Sequence, residues 1–147
     1  MSGPKFTYAA TLAQLLTDSR DEVREAGQWH ERILEGLSFD AVEKVKARAS
    51  LTDTEVARLL GIGEATLRRA RASGSGLDPF TGDRLYRLSK AIAVAEEVLE
   101  GTDNAMSWLR RPQPGLGGHV PLDLLVTQAG ADQVETLLRR IDYGIYT

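Results

Sequence analysis

The chain has 147 residues, a formal net charge of −3 at pH 7 and no cysteine, so it offers neither a disulfide framework nor thiolate chemistry. Its 42% hydrophobic and 27% charged residues are typical of an ordinary soluble protein of one domain or two small ones. No apolar run approaches the ~20 residues of a membrane span, and no signal peptide is recognisable. We therefore expect a cytoplasmic protein that does not contact a membrane.

Residues 9–38 are predicted to be mainly helical. Apolar residues from position 9 to position 16 indicate a short helix. Asp18 or Ser19 is expected to cap the next helix, which ends at Gly36 or Ser38. Its predicted buried face has the helical spacings 3, 4, 3 and 4 and consists of Val23, Ala26, His30, Ile33 and Leu37. Trp29 lies beside this face, and the sequence leaves open whether it is core or a contact in a dimer.

A third helix is predicted to begin near Phe39, with Val42, Val45 and Ala49 facing inward. A capping box then marks the start of a fourth helix, because Thr52 precedes Glu55 by three residues. These signals place an additional pair of helices immediately downstream.

That pair has the spacing of a helix-turn-helix. Ala57 is small enough for two helices to cross closely, and Gly61 supplies a left-handed turn four residues later. Ile62 is expected between the helices, and Leu67 on the inner face of the second helix.

The outward face of the second helix is the candidate DNA-binding site. Arginine can pair with guanine O6 and N7, and glutamate can accept from cytosine N4. The segment from position 61 to position 90 has six basic and three acidic residues, a local excess that is typical of a modest DNA-binding unit. Gly63 stands where a Ser or Thr cap is usual, so this helix is expected to start loosely. The predicted DNA-contacting residues are Glu64, Ala65, Arg68, Arg69 and Arg71. Alternatively, the helices form a pair that binds nothing.

A long helix is predicted next, capped by Thr81 or Asp83 and ended by Gly101. Its narrow apolar face, which suggests a connector between two modules, comprises Leu85, Leu88, Ile92, Ala95 and Leu99. A short helix follows from position 105 to position 109. The glycines from position 115 to position 118 lack the Lys-Ser/Thr of a phosphate-binding loop, so they indicate bends.

Two more helices are expected to complete an all-α fold without strands. Pro121 opens a short helix that stops near Gly130. The last helix is expected to be buried through Val134, Leu137, Leu138 and Ile141.

Enzymatic activity is not expected. His30 and His119 lie far apart, and no nucleophile motif, metal-ligand cluster or cofactor fingerprint is present. We therefore predict no catalytic residues, no metal and no cofactor.

The carboxyl end is unusual because Tyr143, Ile145 and Tyr146 surround Gly144 within the last five residues. Chain ends are usually polar unless they are held in place. The tail either folds back onto its own core or anchors another protein, for which tyrosine offers a large contact area.

The region from Trp108 onward resembles the toxin-binding domain of the Xre/MbcA/ParS family of antitoxins, and a looser similarity extends back to about Gly36. The residues that carry the resemblance are Trp108, Leu109, Pro112, Pro114, Leu116, Gly117, Gly118, Pro121, Leu124, Leu125, Thr127, Gly130, Val134, Leu137, Leu138, Arg140, Ile141, Tyr143, Gly144 and Tyr146. In that family the partner is a RES-domain toxin that consumes NAD or uses it to modify a target. The antitoxin's carboxyl end blocks the toxin's active-site pocket.

The resemblance implies a type II antitoxin that binds a RES-domain toxin and the operator DNA of its own promoter, as a homodimer within a larger complex. It divides the chain into a helical arm with a possible role in dimerisation (1–38), an Xre-like helix-turn-helix domain (39–90) and a toxin-binding domain (91–147). The implied toxin contacts are Trp108, Arg140, Tyr143, Gly144, Ile145, Tyr146 and Thr147. The alternative is a dimeric transcription regulator without a toxin, and a neighbouring RES-domain gene discriminates between the two.

Overall fold

The computed structural model describes residues 7–18 and 26–144. Those residues form helices and no strand, which confirms the predicted all-α class. The helices are α1 (Tyr8–Leu16), α2 (Ala26–Glu35), α3 (Phe39–Arg48), α4 (Asp53–Leu60), α5 (Glu64–Ser73), α6 (Pro79–Leu99), α7 (Thr102–Leu109), α8 (Pro121–Leu124) and α9 (Gln128–Asp142), with a 3-10 turn at Pro114–Leu116. In the described part of the chain, no helix combines the length and apolar character needed to cross a membrane.

Helix α6 is the centre of the fold and not the narrow-faced connector that the sequence suggested. It packs against α1, α2, α4, α7 and α9. Its predicted apolar positions are buried except Leu99, which is half-buried, but burial extends further around the helix. The additional buried residues are Thr81, Gly82, Ser89, Ala91, Ala93, Val94 and Glu96. Neighbouring helices can approach α6 from several sides because many of these residues are small. The Ser89 hydroxyl donates to the Leu85 carbonyl of the same helix, so it can be buried without another partner.

Local signals fix several helix ends. The capping box of α4 forms as predicted: the Thr52 hydroxyl accepts from the Glu55 N–H, and the Glu55 carboxylate accepts from the Thr52 N–H. Gly61 ends α4 in the left-handed region at φ +69°. The predicted cap of α6 was wrong, because Asp78 caps the helix and accepts from the Thr81 N–H at 3.0 Å.

The buried face of α2 differs from the prediction by one position. Trp29 is buried, and its ring centroid lies 5.7 Å from that of Tyr86 on α6. His30 is exposed, so its assignment to the core was wrong, whereas Ile33 and Leu37 are buried as predicted. The Trp29 ring, and not the predicted His30, packs between α2 and α6. Ser19 and Val23 lie outside the described residues.

Gly130 has a different role from the predicted one. Helix α8 ends at Leu124, and Gly130 lies in the first turn of α9, where its N–H donates to the Thr127 hydroxyl at 3.0 Å. A Cβ on Gly130 would stand 1.9 Å from the Leu124 carbonyl oxygen. The glycine therefore allows α9 to cross α8 at backbone contact. Pro121 occupies the first turn of α8, as predicted.

Candidate functional site

Helices α4 and α5 adopt the predicted helix-turn-helix arrangement around the Gly61 turn. Ala57 and Leu67 are buried, at 3% and 1% exposure, and Ile62 is half-buried against the core. These contacts orient α5 so that its opposite face reaches solvent.

The exposed face of α5 contains most of the predicted DNA-contacting residues. Glu64, Ala65, Arg68 and Arg69 are all exposed. Within the described residues, Arg68 has no carboxylate partner, and Arg69 donates to the Thr66 hydroxyl at 3.1 Å. Gly63 precedes the helix without a side-chain cap, as the sequence predicts.

Arg71 is placed differently from the other predicted residues. Its guanidinium lies 2.9 Å from carboxylate oxygens of Asp53 and Glu43 and stacks over the Phe39 ring at 5.6 Å. The hydrogen bonds to Asp53 and Glu43 raise the pKa of Arg71 above its ordinary value. Two acids already neutralise this charge, so the prediction that Arg71 reads DNA does not fit its position.

The first turn of α4 gathers polar contacts that the sequence reading missed. The pKa of Asp53 falls to about 2, chiefly through hydrogen bonds from Arg71 and Lys46. The pKa of Glu55 also falls to about 2, chiefly through hydrogen bonds from Arg110. The Thr54 hydroxyl donates to the carboxylate of Glu64, the first residue of α5. Arg110 lies 55 positions beyond Glu55, so no local spacing could have indicated the pair.

The predicted toxin contacts divide into buried and exposed groups. Trp108 is only 9% exposed, so its ring packs in the core and offers little surface to a partner, which does not fit the predicted toxin contact. Arg140 is exposed, and Tyr143 at the end of α9 is 79% exposed. Gly144 turns the chain at φ +76°. Ile145, Tyr146 and Thr147 lie outside the described residues.

A groove of about 600 Å³ lies beside Arg140, between the glycine-rich turn and α9. Its lining includes Leu116, His119, Thr136, Leu137 and Arg140. The mixture of apolar surface, an imidazole and a guanidinium suits a protein segment better than a single small ion. No group of His, Cys, Asp and Glu side chains that could hold a metal occurs among the described residues.

Two protein families match adjoining parts of this chain. The Antitoxin Xre-like helix-turn-helix domain matches residues 28–90, which include most of α2, all of α3 to α5 and the first half of α6. The Antitoxin Xre/MbcA/ParS C-terminal toxin-binding domain matches residues 94–144, which include α7 to α9 and the groove.

Curated relatives match across most of the chain. An Antitoxin Xre from Pseudomonas putida is 31% identical over 137 residues, covering 93% of this chain and 84% of the relative. An Antitoxin Xre from Photorhabdus laumondii is 32% identical, with 76% of each chain covered. A Sphingobium protein named Prs ADP-ribosylating antitoxin is 26% identical, covering 78% of this chain and 77% of the relative.

A solved structure shares the fold. It is a chain of the M. tuberculosis MbcT-MbcA toxin-antitoxin complex, with a TM-score of 0.56 and 23% sequence identity. The match covers 72% of this chain and 94% of that one.

Proposed function

Because the chain belongs to the Xre family of antitoxins, we propose that it neutralises a RES-domain toxin by placing residues 143–147 in the toxin's NAD pocket. The observation that carries the proposal is the exposure of Tyr143. An aromatic ring that is 79% exposed at the end of the toxin-binding domain is available to a partner and not to its own core. Burial of such a ring in a cavity is a strong source of binding energy.

A charged side chain beside Tyr143 can add to the contact with a toxin. Arg140, one turn earlier, has no carboxylate partner among the described residues, so it is available to acids at the rim of a toxin pocket. In this proposal the aromatic rings of the tail occupy space that the dinucleotide needs, so inhibition is competitive with NAD.

The choice of a RES-domain toxin follows the family resemblance. The name of the Sphingobium relative links that protein to ADP-ribosylation, a reaction that consumes NAD. In this proposal the toxin is encoded by the neighbouring gene and is NAD-consuming or ADP-ribosylating. The antitoxin itself contributes no catalytic group.

Removal of the tail tests this mechanism. The antitoxin lacking residues 143–147 is co-purified with its toxin, and NAD consumption is measured. We expect the truncated chain to bind the toxin but to leave NAD consumption active. Tyr143→Ala is expected to weaken inhibition, and Phe80→Ala is the matched control because Phe80 is 77% exposed outside the toxin-binding domain. Full inhibition by the truncated chain rules out the mechanism.

We also propose that the helix-turn-helix binds operator DNA and represses the chain's own promoter. Arg68 and Arg69 are the proposed base-reading cations, because both are exposed on α5 and neither has a carboxylate partner among the described residues. Arg68→Ala with Arg69→Ala is expected to abolish operator binding. Arg32→Ala with Arg111→Ala removes the same charge elsewhere and controls for general electrostatics.

The proposed operator complex is dimeric, since one small helix-turn-helix makes too few contacts for tight specific binding. Because Trp29 is buried against Tyr86 within the chain, we propose that the homodimer interface is formed by other residues. Mass measurement of the purified antitoxin, alone and with toxin, tests the stoichiometry. A monomer on operator DNA contradicts the proposal.

A further inference from the structure

The first turn of α4 is a junction between the toxin-binding domain and the recognition helix α5. It comprises residues 52–55, and each of its side chains bonds to another part of the chain or closes the capping box. One side of this turn faces the end of α7, and the other side faces α5.

Arg110 connects this turn to the toxin-binding domain. It is the C-cap residue of α7, and its guanidinium donates to Glu55 at 2.8 Å and 3.3 Å. A third bond, at 3.1 Å, reaches the carbonyl of Ser50, which has a left-handed backbone at φ +51°. Such a backbone is unfavourable for serine and persists where neighbouring contacts hold it. Arg110 therefore fixes both the loop before α4 and the cap of α4.

Two further contacts connect the same turn to α5. The Thr54 hydroxyl donates to Glu64 at the start of α5, and the Arg71 guanidinium pairs with Asp53 from the end of α5. Leu67 is the buried residue of this ten-residue helix. Leu67 and the partly buried Ala70 hold α5 against the core, and the polar contacts at its two ends fix its orientation about that attachment.

We infer that Arg110, although it belongs to the toxin-binding domain, is a positioning residue for DNA recognition. It holds the first turn of α4, and through Thr54 that turn sets the direction of Glu64 and of the exposed face of α5. The inference rests on the proposed DNA binding. It also means that a toxin bound near α7 and an operator bound at α5 act on one connected set of contacts.

Paired substitutions test the role of Arg110. Arg139→Ala is the matched control, because the Arg139–Glu97 pair has side-chain exposures of 33% and 24%, against 38% and 24% for Arg110–Glu55. Affinity is measured for the operator and for a scrambled duplex of equal length. We expect Arg110→Ala to weaken operator binding about fivefold and to leave scrambled binding within about twofold. Arg139→Ala is expected to change neither, and Arg110→Gln, which keeps part of the stem, is expected to behave like Arg110→Ala.

Three results would overturn the inference. An equal loss on both duplexes would make Arg110 a phosphate contact, since phosphate contacts act on every sequence alike. Equal losses of operator affinity in Arg110→Ala and Arg139→Ala would show that the Arg110–Glu55 pair supports only the general stability of the fold. Additive changes of the operator binding free energy in a double-mutant cycle of Arg110→Ala with Thr54→Val would show that Arg110 does not act through Thr54 on Glu64.

The failure of the underlying DNA proposal is separately visible. If Arg68→Ala with Arg69→Ala leaves operator binding intact, the recognition face is wrong and the positioning role is overturned with it. If that double variant abolishes binding while Arg110→Ala matches its control, the positioning role alone fails.

Discussion

Helices α5 and α9 carry the two proposed contact surfaces, and different forces hold them in place. Helix α5 buries Leu67 and is anchored at its ends by Thr54, Asp53 and Glu43. Helix α9 buries a row of residues against α6 and α8, namely Gly130, Ala131, Val134, Leu137 and Leu138. Apolar burial involves no titrating group and is not weakened by charge screening, whereas exposed ion pairs respond to pH and are screened by salt.

The difference indicates that α9 is a fixed support for the exposed Tyr143, while α5 has an orientation that polar contacts set. We therefore expect a partner that alters those contacts to shift α5 about its buried Leu67 and to leave the rest of the core packed. The following substitutions and conditions test this contrast, beginning with the one expected to disrupt the fold most.

Gly130→Ala attacks the packing of α9 directly. The added Cβ would meet the Leu124 carbonyl oxygen at 1.9 Å, so α8 and α9 must separate. We expect the free energy of unfolding to fall by about 3 kcal/mol or more. Gly27→Ala is the control because a Cβ there has no atom within 4 Å. Denaturant unfolding of both variants measures the effect, and equal stabilities would mean that α9 is not fixed by this crossing.

Arg48→Ala tests a polar contact that is buried. Arg48 donates to Glu96 at 2.6 Å and 2.9 Å, and Glu96 is fully buried in α6. Removal of the arginine leaves the buried carboxylate with the Thr102 hydroxyl, at 3.2 Å, as its hydrogen-bond donor among the described residues, so we expect a loss of about 2–3 kcal/mol. Lys44→Ala, which breaks an exposed pair with Asp18, is expected to cost at most about 1 kcal/mol. Similar losses in denaturant unfolding would show that burial does not distinguish the two pairs.

Acid is expected to release α5 before α9. Asp53 and Glu55 have ordinary pKa values of 3.8 and 4.5, and in the fold the pKa of each is about 2. A carboxyl group whose pKa is lower in the folded than in the unfolded chain stabilises the fold at pH values above its unfolded pKa. This contribution is lost as the pH falls toward the folded pKa. Amide exchange between about pH 5 and about pH 2 should therefore lose protection in α5 first. Simultaneous loss in α5 and α9 contradicts the contrast.

Arg110→Ala sharpens the same measurement, because hydrogen bonds from Arg110 are the largest cause of the lowered Glu55 pKa. In this variant the pKa of Glu55 should return toward its ordinary value. The contribution of Glu55 to the loss of amide protection at low pH should then become smaller. Arg139→Ala, which leaves Glu55 untouched, should retain the full dependence. The pKa of Glu55 in each variant can be followed by NMR titration of its side-chain carboxyl.

The smallest expected effect comes from Gly63→Ser. Gly63 is the N-cap of α5 without a side-chain bond, and it has open space around its Cα. A serine hydroxyl there can accept from the next turn and should stabilise the fold by about 0.3 kcal/mol. Thermal unfolding measures the change, and a lower melting temperature would show that the loose start of α5 has another cause.

Much of the fold could be predicted because its signals are local. The capping box spans Thr52 to Glu55, and the left-handed Gly61 and the buried Leu67 follow within a few residues. The exposed Arg68 and Arg69 could likewise be placed from helical spacing, whereas residues 143–147 alone left open whether Tyr143 is exposed, and only the family resemblance favoured exposure. Two predictions were wrong. The buried face of α2 contains Trp29 and not His30, and the N-cap of α6 is Asp78 and not Thr81 or Asp83.

The sequence by itself determined the all-α class, the helix-turn-helix and the family, because helical period, caps and turns act over only a few residues. Only the tertiary structure decided which charges are paired: Arg71 with Asp53 and Glu43, and Arg48 with Glu96. It also decided that Gly130 is a crossing point and that Arg110 reaches α4. These outcomes depend on the distance between side chains that are far apart along the chain, which packing alone sets.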